Sequence, residues 1–471
     1  MDERAKTGWR MAGVVCLLAG LLFTARSIQR GWTMHGWSDA SRQWVVCQYV
    51  RARINPYELA RRLLHDTFGP ATGPDRLRLK EHRIYSISSA EWTAETPGLL
   101  PGQPPPEATY PPSTMSMLLP TIGFWPERWL LPVYTSANVA VLILLLGQFA
   151  MWFRTETRWT RAGAWGGVAA LCLLWPPLQY VIQNGQAGLV SLLCAWLAVQ
   201  RFDRKPVAAG LLFLGALIKP SMALLFVIIP LVRWKWTPIW TALILGLVLT
   251  ILPAWWLGEW PWVLLGQWMD LCRYVLRGAF TVQEVLNALE WENTPGAAAV
   301  VLGIWAAVLG WCAWHRRARR EALFVLLCLA NLAWTYHERH DFVLLVFPLV
   351  WFAAQAATPE RRGRGWLGLA LCAVLGAALA DTVYIPAAPW AHAWRWAGRL
   401  AIPALWALTA LEVRASDTAT RRRERTDQGR GDGGRWAGGC WRWFASRRLG
   451  SEVYGLLSSP VFRLRSRVSD L

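Results

Sequence analysis

The run MAGVVCLLAGLLFTA, residues 11–25, stands directly behind MDERAKTGWR, residues 1–10. Cations followed by an apolar stretch give the charge order of a signal anchor whose N-terminus stays inside; a cleavable signal ending near Ala25 is the alternative. Similar runs recur outward from this one, near 130–153, 161–181, 187–200, 206–219, 221–232, 238–257, 298–314, 321–336, 342–358, 365–382 and 396–412. A hydrocarbon layer of about 30 Å takes roughly 20 apolar residues, so the recurrence favours a retained first helix and about twelve crossings. The chain is 54% hydrophobic and only 17% charged, with a mean hydropathy of +0.25. A soluble protein of 471 residues would need far more polar surface. The fold class expected is an all-α polytopic membrane protein.

STMSMLLPTIGFWP (113–126) fits the scheme poorly: it reads as a shallow or re-entrant helix or as a further crossing, which would reverse the side of everything after it. Residues 26–112 form a long hydrophilic loop expected outside, in which WVVCQYVRARI and YELARRLLHDTF have the spacing of helices lying along the membrane surface. Residues 1–413 then make one membrane domain, and 414–471, rich in Arg, Gly and Asp, a basic, disordered cytoplasmic tail held near anionic lipid.

The net charge of +19 invites a nucleic-acid reading, but much of it sits in short connections: RTETRWTR (154–161), RFDRK (201–205), RWK (233–235), HRRARR (315–320) and ERRGR (360–364). Cationic short loops mark the cytoplasmic side, so topology explains them and no nucleic-acid partner is expected. The 34 Trp, clustered near run ends as in PAWWLGEWPW (253–262), read as interfacial anchors. Most of the nine Cys lie inside apolar runs; only Cys47 and Cys272 fall in outer loops, where a disulfide between them is conceivable on placement alone.

The same topology gathers polar residues on the outer side. Asp39 stands near the bilayer edge, where apolar surroundings can raise a carboxyl's pKa towards the range a general base needs. A solvated loop acid is the plainer reading. Tyr110-Pro111-Pro112 makes a rigid entry to an apolar stretch. Gln183, Asn184 and Gln186 offer amides suited to sugar hydroxyls, with Gly185 and Gly188 allowing close backbone approach. Lys219 ends one apolar run and Pro220 begins the next, so its amine either snorkels or meets a lipid phosphate. In HERHD (337–341), His337 and His340 share a helical face with Arg339 between them. The spacing is not that of an HExxH zinc site, so phosphate contact or a proton relay is preferred and no metal is assigned, although a divalent ion remains compatible. No phosphate-binding Gly-rich loop and no GxSxG is present, so a nucleotide-driven pump or a hydrolase has no visible engine.

In this order the motifs resemble those of the family 87 glycosyltransferases, the DUF2029 group of GT-C membrane enzymes that includes polyprenol-phosphate-mannose-dependent mannosyltransferases. An outer-loop acid resembles Asp39, and an Asp-Pro-Tyr element is similar to Asn55-Pro56-Tyr57. The family's YPP resembles Tyr110 to Pro112, its Gly-Gln resembles Gly185-Gln186, its Lys-Pro resembles Lys219-Pro220, and its His-rich element resembles His337 to Pro348. Two departures stand out: Gln43-Trp44 where the family has paired tyrosines, and Gly188 where it has Asn. The resemblance implies a GT-C-like bundle in the inner (cytoplasmic) membrane that works on its extracytoplasmic face. The implied reaction moves a hexose, mannose first, from a polyprenyl-phosphate-sugar donor to a lipid or glycan hydroxyl, with inversion and no required cofactor. Asp39 is the implied base, and Tyr57, Tyr110, Gln186, Lys219, His337, Arg339 and His340 the implied substrate contacts. The partners implied are membrane lipids, the donor and the acceptor. A transporter or lipid flippase is the alternative, and a non-catalytic glycan-binding scaffold a third reading.

Overall fold

Proline sets where many of the helices begin. Pro112, Pro176, Pro206 and Pro220 each occupy a first turn, where the missing N–H is no loss and φ is already helical. The computed structural model of the chain describes residues 3–33, 38–68, 98–100, 106, 108, 110–275, 295–334, 339–384 and 391–431. All regular structure among them is helical. The N-terminal part supplies α1 (Glu3–Thr33), α2 (Asp39–Arg51), α3 (Pro56–Phe68) and α4 (Pro112–Ile122). The middle supplies α5 (Glu127–Thr157), α6 (Arg161–Leu173), α7 (Pro176–Asn184), α8 (Gly188–Arg201), α9 (Pro206–Ala216), α10 (Pro220–Ala223), α11 (Ile228–Val232), α12 (Trp236–Leu257) and α13 (Pro261–Val275). Then come α14 (Pro295–Trp314), α15 (Arg320–Trp334), a 3-10 turn (Arg339–Leu345), α16 (Val346–Ala356), α17 (Arg362–Tyr384) and α18 (Ala391–Gly431). The chain divides into two compact units, Met1–Asp417 and Thr418–Leu471.

Three of the described helices are long and apolar enough to cross a membrane: Met11–Thr33 within α1, α5 and α12. Two bent pairs, α6 with α7 at 74° and Asp341–Ala356 with Pro359–Ala378 at 116°, raise the number to five if each pair is one span. The expected count of about twelve is not reproduced. Proline and Lys-Pro breaks divide several runs into short apolar helices such as α8, α9 and Pro220–Val232. The ambiguous 113–126 stretch forms the 11-residue α4. At about 16 Å it is roughly half the hydrocarbon thickness, a short helix and not a full crossing.

Lipid-facing sides are plain. Leu18, Leu22, Leu243, Ile244, Leu247 and Leu252 are about half exposed or more on α1 and α12, which only an apolar solvent tolerates along a whole helix. Exposed Trp residues bracket α12, with Trp234, Trp236 and Trp240 at its start and Trp255, Trp260 and Trp262 at or just past its end, as interfacial belts require.

Two expectations need correction. The helix WVVCQYVRARI exists, but it does not lie on the surface: Gln43, Trp44, Val45, Val46, Cys47, Tyr49 and Val50 of α2 are buried. Apolar residues occur all round it, so packing wins over the interfacial reading. The tail expected to be disordered from 414 is helical as far as Gly431, and 432–471 lie outside the described residues. From 414 to 428 it has neither Gly nor Pro and many Arg and Ala, which favour helix.

Cys47 is a free, fully buried thiol, so it is not in a disulfide. Burial pushes its pKa up to about 12, with Arg51 opposing. At pH 8 its thiolate fraction is therefore on the order of 10⁻⁴. A variant retaining Cys47 as its sole cysteine should resist maleimide at pH 8 until the protein is unfolded; rapid labelling in the native state would contradict this packing.

Two buried clusters build the first unit. The larger is cored by Phe149, Trp196, Phe226, Phe324 and Phe347 in mutual ring contact. The smaller joins α2, α3, α4 and α13 through Val46, Tyr57, Met115 and Leu264. At the other end of α8 from Gly188, about 20 Å away by helix rise, the cationic connections knit together: Arg320 and Lys235 pair with Asp203, and Arg319 pairs with Glu156.

Candidate active site

The seam between the two clusters holds the polar residues. Ile218 packs on the smaller cluster and Met222 belongs to the larger, so the α9–α10 junction runs along the seam. Pro220 disfavours helix at the residue before it, and Lys219 accordingly has φ −129° and ψ 83°. This break turns the Lys219 side chain inward, where it is 8% exposed. Its amine donates to Gln186 Oε1 at 2.9 Å and forms an ion pair with Asp341, which is 1% exposed.

Gln186 is set by the turn after α7. Gly185 closes that helix at φ +63°, the left-handed conformation that glycine adopts without a Cβ penalty. Its N–H and that of Gln186 both reach the Val181 carbonyl. A Cβ on Gly185 would lie 2.9 Å from that of Ala40 and 3.2 Å from that of Tyr134. Thus the start of α2, and Asp39 with it, rests directly on the Gly185-Gln186 turn. We expect Gly185→Val to cost about 2–4 kcal/mol in thermal unfolding, from backbone strain and the clash with Ala40; a loss under about 0.5 kcal/mol would show that this close approach does not hold.

Tyr110 donates from its hydroxyl to Gln186 Oε1 at 3.4 Å, and Tyr57 donates to the Tyr110 carbonyl at 2.9 Å. Tyr57 is itself held by Asn55, whose Oδ1 accepts from the N–H groups of Tyr57 and Glu58 as the cap of α3. The predicted Tyr57, Tyr110, Gln186 and Lys219 therefore form one continuous series of contacts. Tyr57 reaches the series through the Tyr110 carbonyl.

Asp39 opens α2 behind the cap Ser38, whose Oγ accepts from the Ser41 N–H. Its side chain is 19% exposed and its carboxylate pairs with Arg42 at 3.7 Å. Arg339 and His340 lie on the 3-10 turn that also carries Asp341, while His337 falls outside the described residues. Trp175 at the start of α7 donates from Nε1 to the Phe342 carbonyl at 2.9 Å, locking that turn against the site. Among the described residues no group of His, Cys, Asp or Glu is arranged to hold a metal.

Asp341 is the residue that sequence reasoning missed. A lysine at the end of an apolar run needs a counter-ion if it is buried, and the acid in HERHD was the available signal. Its presence changes what Lys219 can do: the pair is neutral, so Lys219 offers a directed N–H more than a net charge. Among the described residues two of its three N–H donors have partners, Gln186 and Asp341.

The model of glycosyltransferase family 87 matches residues 108–348, just over half of the 471 residues. The chain belongs to glycosyltransferase family 87. It is thus a membrane glycosyltransferase, and the matched region contains Tyr110, Gln186, Lys219, Arg339, His340 and Asp341. Asp39 and Tyr57 precede the match; Tyr57 reaches Tyr110 by its hydrogen bond, and Ala40, next to Asp39, packs against Gly185. No curated protein and no solved structure matches this family 87 chain. Its departure at Gly188 has a packing reason, since a Cβ there would meet Met222 Sδ at 3.3 Å.

Proposed function

We propose that this family 87 enzyme transfers a hexose, mannose first, from a polyprenyl-phosphate sugar to a lipid or glycan hydroxyl on the extracytoplasmic side of the inner membrane. The observation that carries the reading is the buried series Tyr57–Tyr110–Gln186–Lys219–Asp341 with the Asp39 end of α2 resting on it. Charge supports this choice of face: the cationic connections gather at the end of α8 remote from this series, and cationic short loops tend to stay in the cytoplasm.

In the proposed reaction Asp39 takes the proton from the acceptor hydroxyl, whose oxygen attacks the anomeric carbon opposite the phosphate. The bond from that carbon to the phosphate oxygen breaks, and its electron pair leaves on the polyprenyl phosphate. Inversion follows from the single displacement. The remaining N–H of Lys219, with Arg339 and the histidines of HERH, stabilises charge as it develops on the leaving phosphate. Gln186 holds Lys219 and Tyr110 in register for that contact.

Membranes from cells that express the chain, supplied with polyprenyl-phosphate-[14C]mannose and other polyprenyl-phosphate sugars, should incorporate label into lipid or glycan above the empty-vector level. Absence of incorporation from every donor would turn the reading towards a transporter or flippase.

A further inference from the structure

One buried amide beside the site has no internal use for its N–H groups. Gln43 is 2% exposed, and its Oε1 accepts from the Tyr134 hydroxyl at 3.3 Å, while Nε2 has no partner among the described residues. Turning the amide over does not remove the mismatch: the Tyr134 hydroxyl can donate or accept, so one end of the amide stays unmatched either way. A buried unmatched polar group is costly, and an apolar residue of similar volume at this position would pack without that cost.

Gln43 sits one helical turn after Asp39 on the same face of α2. Tyr134, its single partner, packs against Gly185, as does Ala40. Gln43, Asp39 and the Gly185-Gln186 turn therefore converge, and the face opens outward at Asp39. We propose that Gln43 is a specificity-determining residue whose Nε2–H donates to an oxygen of the acceptor sugar while Asp39 holds the reacting hydroxyl. The proposal rests on the glycosyl-transfer reading above. A site built to hydrogen-bond a hydroxyl rejects the analogue that lacks it, because its buried polar group is then left unmatched.

The test uses the purified full chain with polyprenyl-phosphate-[14C]mannose as donor and octyl α-mannoside and its monodeoxy analogues as acceptors. Wild type should disfavour one deoxy analogue by about tenfold in kcat/KM. Gln43→Met should abolish that preference and raise the KM for octyl α-mannoside by about tenfold, with kcat little changed and an equal or higher Tm. Tyr134→Phe, which removes the same internal hydrogen bond, should keep the preference. If Gln43→Met retains full discrimination, or if both variants lose activity and Tm alike, Gln43 is a packing residue and the proposal falls alone. If wild type transfers to no acceptor from this donor, the reading of a mannosyl donor and mannoside acceptor fails and takes the proposal with it. Gln355, a second buried amide with no partner but at the far end of α16, serves as control: Gln355→Leu should alter neither the preference nor the KM.

Discussion

Asp39→Asn should lower kcat by about 10²- to 10⁴-fold, the usual contribution of a general base, while the protein stays folded. The substitution keeps the size of the side chain and removes its charge, and with it the ability to accept a proton. Its structural cost is small. The pairing with Arg42 is partly exposed and worth about 0–1 kcal/mol at most after solvent screening. A charge in the first turn of α2 adds about 0.3–1 kcal/mol through the helix dipole. Measured as transfer from polyprenyl-phosphate-[14C]mannose at matched expression, with thermal unfolding alongside, the variant should be inactive and nearly as stable as wild type. Undiminished transfer would remove Asp39 from the chemistry.

Lys219→Met should destabilise the fold by about 3–5 kcal/mol, because it takes the ammonium away from the buried Asp341 carboxylate. Replacing both partners, Lys219→Met with Asp341→Leu, should recover most of that loss, since a buried ion pair exchanged for apolar groups is close to neutral. Transfer should not recover with it. The double variant thus separates two roles that a single substitution confounds: charge neutralisation inside the protein and contact with the leaving phosphate. If the double variant regains both stability and transfer, Lys219 is structural only. Thermal unfolding in detergent and the labelled-sugar assay, run on the same preparations, decide between the two.

How far the sequence reaches depends on whether a signal is local. Gly185 after α7 and Pro220 after Lys219 are local backbone signals, and each marks a break that the structure shows. Asp39 is legible as an acid near the bilayer edge, but the Gly185 turn, against which its neighbour Ala40 packs, is nearly 150 residues away and leaves no trace in spacing. The Lys219–Asp341 pair is hidden for the same reason, being closed by the 3-10 turn that Trp175 holds in place. The burial of α2 was misread because amphipathic spacing reports a helix, not which of its faces finds a protein neighbour. Hydropathy found the apolar runs but not their bends; the 74° turn between α6 and α7 comes from Trp175-Pro176, inside a stretch that reads as one span. The cationic loops were read as a topology signal, and the acids that tie them together, Glu156 and Asp203, lay unused within the same motifs.

The sugar, as we propose, arrives on a lipid phosphate. Proteoliposomes holding the purified chain, a mannoside acceptor and either polyprenyl-phosphate-[14C]mannose or GDP-[14C]mannose test this. Labelled acceptor is expected from the lipid donor with no nucleotide present, and none from the nucleotide sugar alone; labelled acceptor from GDP-mannose alone would overturn the lipid-phosphate donor.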